Sequence, residues 1–312
     1  MVQKNNLNNY AIVICGPTGS GKSDLAIKLA QILNTEIISA DSIAIYKELN
    51  IGTAKPTKAE QALVKHHLID CVEPSDSFTV SDYENMASSV VKKLFDENKV
   101  PIICGGTGFY IKSLLYDLSY GNCGKNDAVR QKYQEILENY GAEYLYEILT
   151  ELDPETAKKL HPNDTMRVIR ALEIFETSGV KKSSIIDDNK PKFKFFAFSY
   201  DYERSVLYDR INRRVDKMFK MGLIDEVKGL INSGLTLENQ SMQGIGYKEF
   251  FEFNDIDSNL QEIKENIKQN SRRYAKRQIT FFKKLENLTY LTDFDTESAI
   301  KSVFKVINNG DN

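Results

Sequence analysis

Eight consecutive residues, Gly16, Pro17, Thr18, Gly19, Ser20, Gly21, Lys22 and Ser23, constrain this chain more than any other stretch, because together they satisfy the P-loop pattern. The context is the one the pattern requires: an apolar run at Tyr10–Cys15 comes before it and a helical segment over 24–33 after it. Glycines let backbone N–H groups close around a diphosphate at a helix N-terminus, where the helix dipole favours negative charge. Lys22 neutralises phosphate oxygens, and the Ser23 hydroxyl is placed to bind Mg2+. A Gly-rich turn that merely caps a helix would not need strand, lysine, hydroxyl and helix in register.

Further short runs rich in Ile and Val recur at 36–40, 67–71 and 100–104, each separated by enough chain for a helix or a crossover. That alternation predicts an α/β fold, a P-loop NTPase-like parallel sheet flanked by helices. The segment 81–98 reads as a covering helix that opens on a Ser81/Glu84 capping box. From 126 to 178 the strand signal gives way to helical patterns at 128–139, 143–149, 153–160 and 164–178. This predicts an inserted helical domain, 121–189, within a core made of 1–120 and 190–312. A strand over 192–199, helices over 203–221 and 260–282, and a short strand at 288–291 return the chain to the sheet.

With 312 residues the chain is long enough for one large core carrying an insertion, and 41 basic against 44 acidic residues leave a net charge of −3. Bulk charge therefore gives no reason to expect a nucleic-acid partner, which has to be argued from local patches. Cys15, Cys71, Cys104 and Cys123 are scattered, three of them in apolar runs that read as buried strands, so reduced core thiols in a cytoplasmic protein are expected. The polar start, Met1 to Asn9, lacks the apolar stretch expected of a signal peptide, and no run approaches the roughly 20 apolar residues of a membrane span.

Parallel strands collect their ligands at their C-terminal ends, so the P-loop, Asp41 after the second strand and Thr107 after the run 100–104 are expected to converge. A kinase would add a carboxylate after Cys104, but Gly105, Gly106, Thr107, Gly108, Phe109 and Tyr110 contain none. A basic stretch over 271–284 holds Arg272, Arg273, Lys276, Arg277, Lys283 and Lys284 with Tyr274, Phe281 and Phe282 and no acid. That mixture suits phosphates and bases, or equally a solvated helix with a core face.

These segments, together with Asp41-Ser42 and the stretches 50–56, 161–173, 243–249 and 272–281, resemble the bacterial tRNA dimethylallyltransferases from about residue 10 to residue 285. Members of that family transfer an isoprenyl group to N6 of adenosine 37 beside the anticodon. A monomer that needs no membrane is expected, since no exposed apolar stripe is left over, and the resemblance implies dimethylallyl diphosphate as donor, the tRNA anticodon stem-loop as acceptor and Mg2+ at Ser23. It casts Asp41 as the base that relieves N6 of its proton. Thr107 becomes the donor to the bridging oxygen, and Arg214 the arginine that closes on the diphosphate. Arg204, Arg210 and Arg213 crowd the same helix, and the choice among them stays open. For tRNA contact it implies Asp41, Ser42, Ile43, Ala44 and Thr107, then Arg130, then Met166, Arg167, Val168, Ile169 and Arg170. Further along it implies Met242, Gln243, Gly244, Ile245, Gly246 and Tyr247, and finally Lys276, Arg277, Gln278, Ile279, Thr280, Phe281, Phe282 and Lys283. Ala44 and Met166 stand where family members commonly carry glutamine. Competing readings are a small-molecule P-loop enzyme, whether a kinase or a prenyltransferase of free AMP, and a nucleotide-binding module without chemistry.

Overall fold

A computed structural model describes residues 10–119, 124–185 and 190–310. Six strands, β1 Tyr10–Cys15, β2 Ile37–Ala40, β3 His66–His67, β4 Ile102–Gly105, β5 Lys194–Tyr200 and β6 Leu288–Leu291, form one parallel sheet in the order β3-β2-β4-β1-β5-β6. β1 is buried at all of its positions, as a strand covered on both faces must be, and pairs Ile12 with Ile102 on one side and with Phe196 on the other. Helix α1, Lys22–Leu33, packs Leu25 and Leu29 against Ile12, Ile14 and Phe198. The last helix, α11 Thr296–Gly310, adds Val303 and Ile307 to the same layer.

Three expectations need correction. The strand expected at 67–71 ends at His67, because Leu68 and Asp70 take left-handed φ of 59° and 55° and leave the ladder. Cys71 is accordingly exposed rather than a core thiol, while Cys15 is buried, Cys104 is half-buried and Cys123 lies outside the described residues. The helix expected from Ser81 begins earlier, as α3 Val80–Asp96. Its capping box is Thr79 with Asp82, each side chain accepting from the other's backbone N–H, at 3.2 Å and 2.8 Å. Glu84 instead pairs with Lys192.

The chain divides into two compact units, Met1–Leu115 with Lys192–Asn312, and Tyr116–Pro191. The second is helical: α5 Asp127–Leu152, broken at Gly141, then α6 Pro154–Ala157 and α7 Thr165–Ser178, around Tyr133, Leu145, Leu149, Val168 and Leu172. Its junction is Asp153, which accepts from Thr156 N at 3.1 Å, Thr156 Oγ1 at 2.6 Å and Ser183 N at 2.9 Å. Burial pushes this carboxyl up, but the bonds from Ser183 and Thr156 outweigh it and hold it at about 2. A depressed carboxylate stabilises the fold above its ordinary value near pH ~4 and loses that contribution as pH falls through its folded value. Asp153→Ala is therefore expected to cost about 2 kcal/mol at neutral pH. Thermal melts of both proteins should show the gap narrowing between about pH 4 and pH 2; a gap constant over that range would contradict the assignment.

Candidate functional site

The core unit holds a cavity of about 340 Å3 at the C-terminal strand ends. β1 runs into the P-loop, β2 into Asp41 and β4 into Gly105 and Gly106, so three adjacent strands bring the motifs to one edge. Glycine at 105 is what lets β4 come so close to β2, since a Cβ there would stand 2.1 Å from the Ala40 carbonyl oxygen. Helices α8, Arg204–Lys220, and α10, Leu260–Phe282, close the far side. Gln278 staples α10 to the edge: its Oε1 accepts from Thr18 N at 3.0 Å and its Nε2 donates to Gly106 O at 2.9 Å.

Thr18, Lys22 and Ser23 of the P-loop line the cavity with Asp41 and Arg214. Lys22 Nζ donates to Pro17 O at 3.2 Å. Burial pushes its ammonium below the ordinary lysine value, Cys104 works the other way and the Arg214 guanidinium adds to the lowering, so an anion placed here restores both cations. Arg214 is lowered by burial as well, with the Asp41 carboxylate opposing. Of the arginines on α8, Arg210 donates through Nε to Gly19 O at 2.8 Å and Arg213 pairs with Asp209. Arg214 is the one that faces the cavity. The Cys15 and Cys104 thiols are pushed up by burial, to about 12 and about 11, which keeps them protonated and removes thiolate chemistry from the site.

Asp41 is half-buried, and its Oδ1 accepts from Ile43 N at 3.0 Å and Ala44 N at 3.1 Å. One oxygen is thus fixed by the backbone, which orients the carboxylate. Thr107 Oγ1 accepts from Ser42 N at 3.0 Å and lies 3.2 Å from Ser42 Oγ. To donate to a substrate oxygen, its hydroxyl has to exchange the bond to Ser42. The Ser23 hydroxyl oxygen suits a hard cation such as Mg2+. Among the described residues no group of three His, Cys, Asp or Glu side chains could hold a metal, so diphosphate and water oxygens would complete its shell.

Several side chains expected at a nucleic-acid surface are packed inside instead. Val168, Ile169, Met242, Tyr247 and Phe282 are core residues, because each lies on the apolar face of its segment, and Ala44 and Gln278 are buried too. Gly244 and Gly246 are buried, and Ile245 and Ile279 half-buried. Lys276, Arg277 and Thr280 are exposed on α10 and Lys283 just after it, with Phe281 half-buried and 6.4 Å from Phe109 by ring centroids. Gln243 and Ile43 border the cavity. In the helical unit Met166 is exposed at 72%, and Arg167 pairs with Asp164 at 2.9 Å. Arg130 Nε donates at 2.8 Å and Arg170 at 2.7 Å to Glu173, which is fully buried.

Sequence reasoning did not single out Tyr274, Ser271 or Lys248 as cavity residues. Tyr274 is the informative one, since it was grouped with a nucleic-acid face. Burial pushes its hydroxyl up, the Asp41 carboxylate adds to this, and hydrogen bonds with Thr107 and Gln278 oppose. It sits three residues before Arg277 on α10, a spacing that puts both on one helix face.

Comparison with known proteins places these features in a wider set. The IPP transferase family model matches residues 44–285. A tRNA dimethylallyltransferase from Caldanaerobacter subterraneus subsp. tengcongensis is 42% identical over 305 residues, covering 95% of this chain and 96% of the relative. One from Thermoanaerobacter sp. strain X514 is 45% identical over 278 residues, covering 87% and 88%. Among solved structures, the tRNA isopentenylpyrophosphate transferase of Bacillus halodurans is 38% identical with a TM-score of 0.72, covering 97% of this chain and 96% of that one. A eukaryotic dimethylallyltransferase acting on tRNA is 31% identical with a TM-score of 0.80, covering 97% and 80%.

Proposed function

The chain belongs to the IPP transferase family, and from that premise we infer that it moves the dimethylallyl group of dimethylallyl diphosphate onto N6 of adenosine 37 in the tRNA anticodon loop. It is a prenyltransferase that acts on tRNA. The observation that carries the finer reading is the union, in one cavity, of a P-loop with its Lys22, a second cation at Arg214, and an oriented carboxylate, Asp41.

Such a site handles a donor that brings its own leaving group. Lys22, Arg214 and the P-loop N–H groups offset the charge that gathers on the diphosphate as the carbon–oxygen bond breaks. Mg2+, when bound at Ser23, supplies Lewis-acid stabilisation of that same charge. The exocyclic amine of adenine is a weak nucleophile, because its lone pair is delocalised into the ring. Asp41 takes the amine proton during attack, and with Oδ1 held by the backbone, Oδ2 is the oxygen free to receive it. Thr107 donates toward the bridging oxygen after releasing Ser42. The target base has to leave its stack to enter the cavity, and the exposed cations of α10 suit the phosphates flanking it. One chain supplies all of these groups, which supports a monomer as the working unit. Among the described residues no helix is long and apolar enough to cross a membrane, in keeping with a tRNA substrate met in the cytoplasm.

Incubation with Mg2+, dimethylallyl diphosphate and unmodified tRNA is expected to give N6-isopentenyladenosine at position 37, read by mass analysis of the nucleosides. Equal prenylation of free AMP would instead favour the small-molecule reading.

A further inference from the structure

Arg214 reaches the cavity from a helix, but its guanidinium is also tied to a loop. Its NH2 donates to the Thr53 carbonyl at 3.0 Å, and Gly52, Thr53 and Lys55 of that loop line the same cavity. The loop in turn is held by one side chain from helix α9, Leu223–Asn232. The Glu226 carboxylate accepts from Asn50 N at 3.0 Å, from Ile51 N at 2.8 Å and 3.0 Å, and from Gly52 N at 3.1 Å. Three successive N–H groups turned onto one anion form a backbone nest, here filled by the protein's own carboxylate.

A fourth donor fixes the arrangement from behind. Tyr247, fully buried, gives its hydroxyl to Glu226 Oε1 at 2.7 Å. Its ring fills the space beside residue 52 so completely that a Cβ there would meet it at 2.5 Å, which is why glycine stands at that position. Burial, then the Glu226 charge, pushes the Tyr247 phenol well above its ordinary value, in keeping with its part as a donor to Glu226. Thr53 closes the turn by donating to Leu49 O at 2.8 Å.

We propose that Glu226 is a positioning residue for the transfer reaction: by filling the nest at 50–52 it sets the Thr53 carbonyl, and through it the angle at which Arg214 meets the diphosphate. Glu226 is not among the cavity-lining residues and so acts on the donor only through this relay. The inference rests on the proposed use of Arg214 for the diphosphate. It adds to that reading a residue more than 170 positions from the loop it controls.

Glutamine at 226 keeps the shape but presents an NH2 where N–H and O–H donors now point, so the nest loses its anion. Steady-state kinetics of Glu226→Gln are expected to give a KM for dimethylallyl diphosphate raised about tenfold, with tRNA affinity by filter binding changed less than about twofold. Inorganic pyrophosphate with Mg2+, titrated calorimetrically, should weaken by a similar factor. Arg214→Lys should raise the donor KM at least as much, and the double variant should be no worse than Arg214→Lys alone, because one relay can be broken only once. Tyr247→Phe, which spares the backbone bonds, should shift donor KM in the same direction by about twofold and guards against a folding defect in Glu226→Gln. Multiplicative effects in the double variant, or equal loss of tRNA and donor affinity, would overturn the relay. An unmodified protein that transfers prenyl groups while Glu226→Gln matches it in donor KM would overturn the relay and leave the function intact. Failure of the unmodified protein to bind pyrophosphate would overturn both.

Discussion

Asp41→Ala is expected to leave donor binding within about twofold of the unmodified protein while lowering the single-turnover rate of prenyl transfer by about a thousandfold, within the range of a lost general base. The separation follows from the layout of the cavity. In the proposed reading the diphosphate is held by the P-loop, with its Lys22, and by Arg214, whereas Asp41 offers a carboxylate that would repel that anion if it did anything to it directly. Its charge also supports the Arg214 cation, so a small change in donor affinity of either sign is compatible with the assignment. Calorimetric donor affinity and quench-flow rates distinguish the two quantities. A rate within about threefold of normal in Asp41→Ala would remove it from proton transfer. Asp41→Asn is the sharper variant, since it keeps an acceptor for Ile43 N and Ala44 N and loses only the basicity.

Lys22→Ala is expected to act on both quantities, weakening dimethylallyl diphosphate by about a hundredfold and slowing turnover by at least as much. A cation enclosed by the cavity walls interacts with phosphate oxygens more strongly than one in water, and its help grows as the leaving group gains charge. Lys22 has no substitute in place: Arg214 is tethered to Thr53, and Arg210 is committed to the Gly19 carbonyl. Unaltered donor affinity in Lys22→Ala, measured at the same Mg2+ concentration, would place the diphosphate somewhere other than the P-loop.

How far the sequence could be read depended on the range of the interactions involved. The P-loop and Asp41 were legible because each sits at a strand-to-loop junction whose chemistry is local, and parallel topology alone brings them together. Burial on the basic helix was not. Nothing within a few residues says that Tyr274 turns inward toward Thr107 while Lys276 and Thr280 remain exposed, since that depends on where α10 crosses the sheet edge. Met242 and Tyr247 resemble binding residues in their motif but are anchors in the fold. Glu226 carries no local signature at all: an acid in the first turn of a helix looks like dipole complementation, and its real partners are at 50–52 and 247. The early start of α3 was missed for a smaller reason, because two overlapping capping patterns compete there and tertiary pairing takes Glu84 away.

The helical unit begins at Tyr116 and ends at Pro191, which form an antiparallel bridge, and just outside those bounds Lys192 N donates to Leu115 O at 2.8 Å. Entry and exit therefore share one doorway, and every hydrogen-bonded strand pair of the sheet lies outside it. Whatever is spliced between those two positions can lengthen, shrink or be exchanged without altering how the sheet is threaded. The architecture thus behaves as a socket and a cassette, in which the spliced helices are free to diverge while the sheet and its P-loop stay as they are.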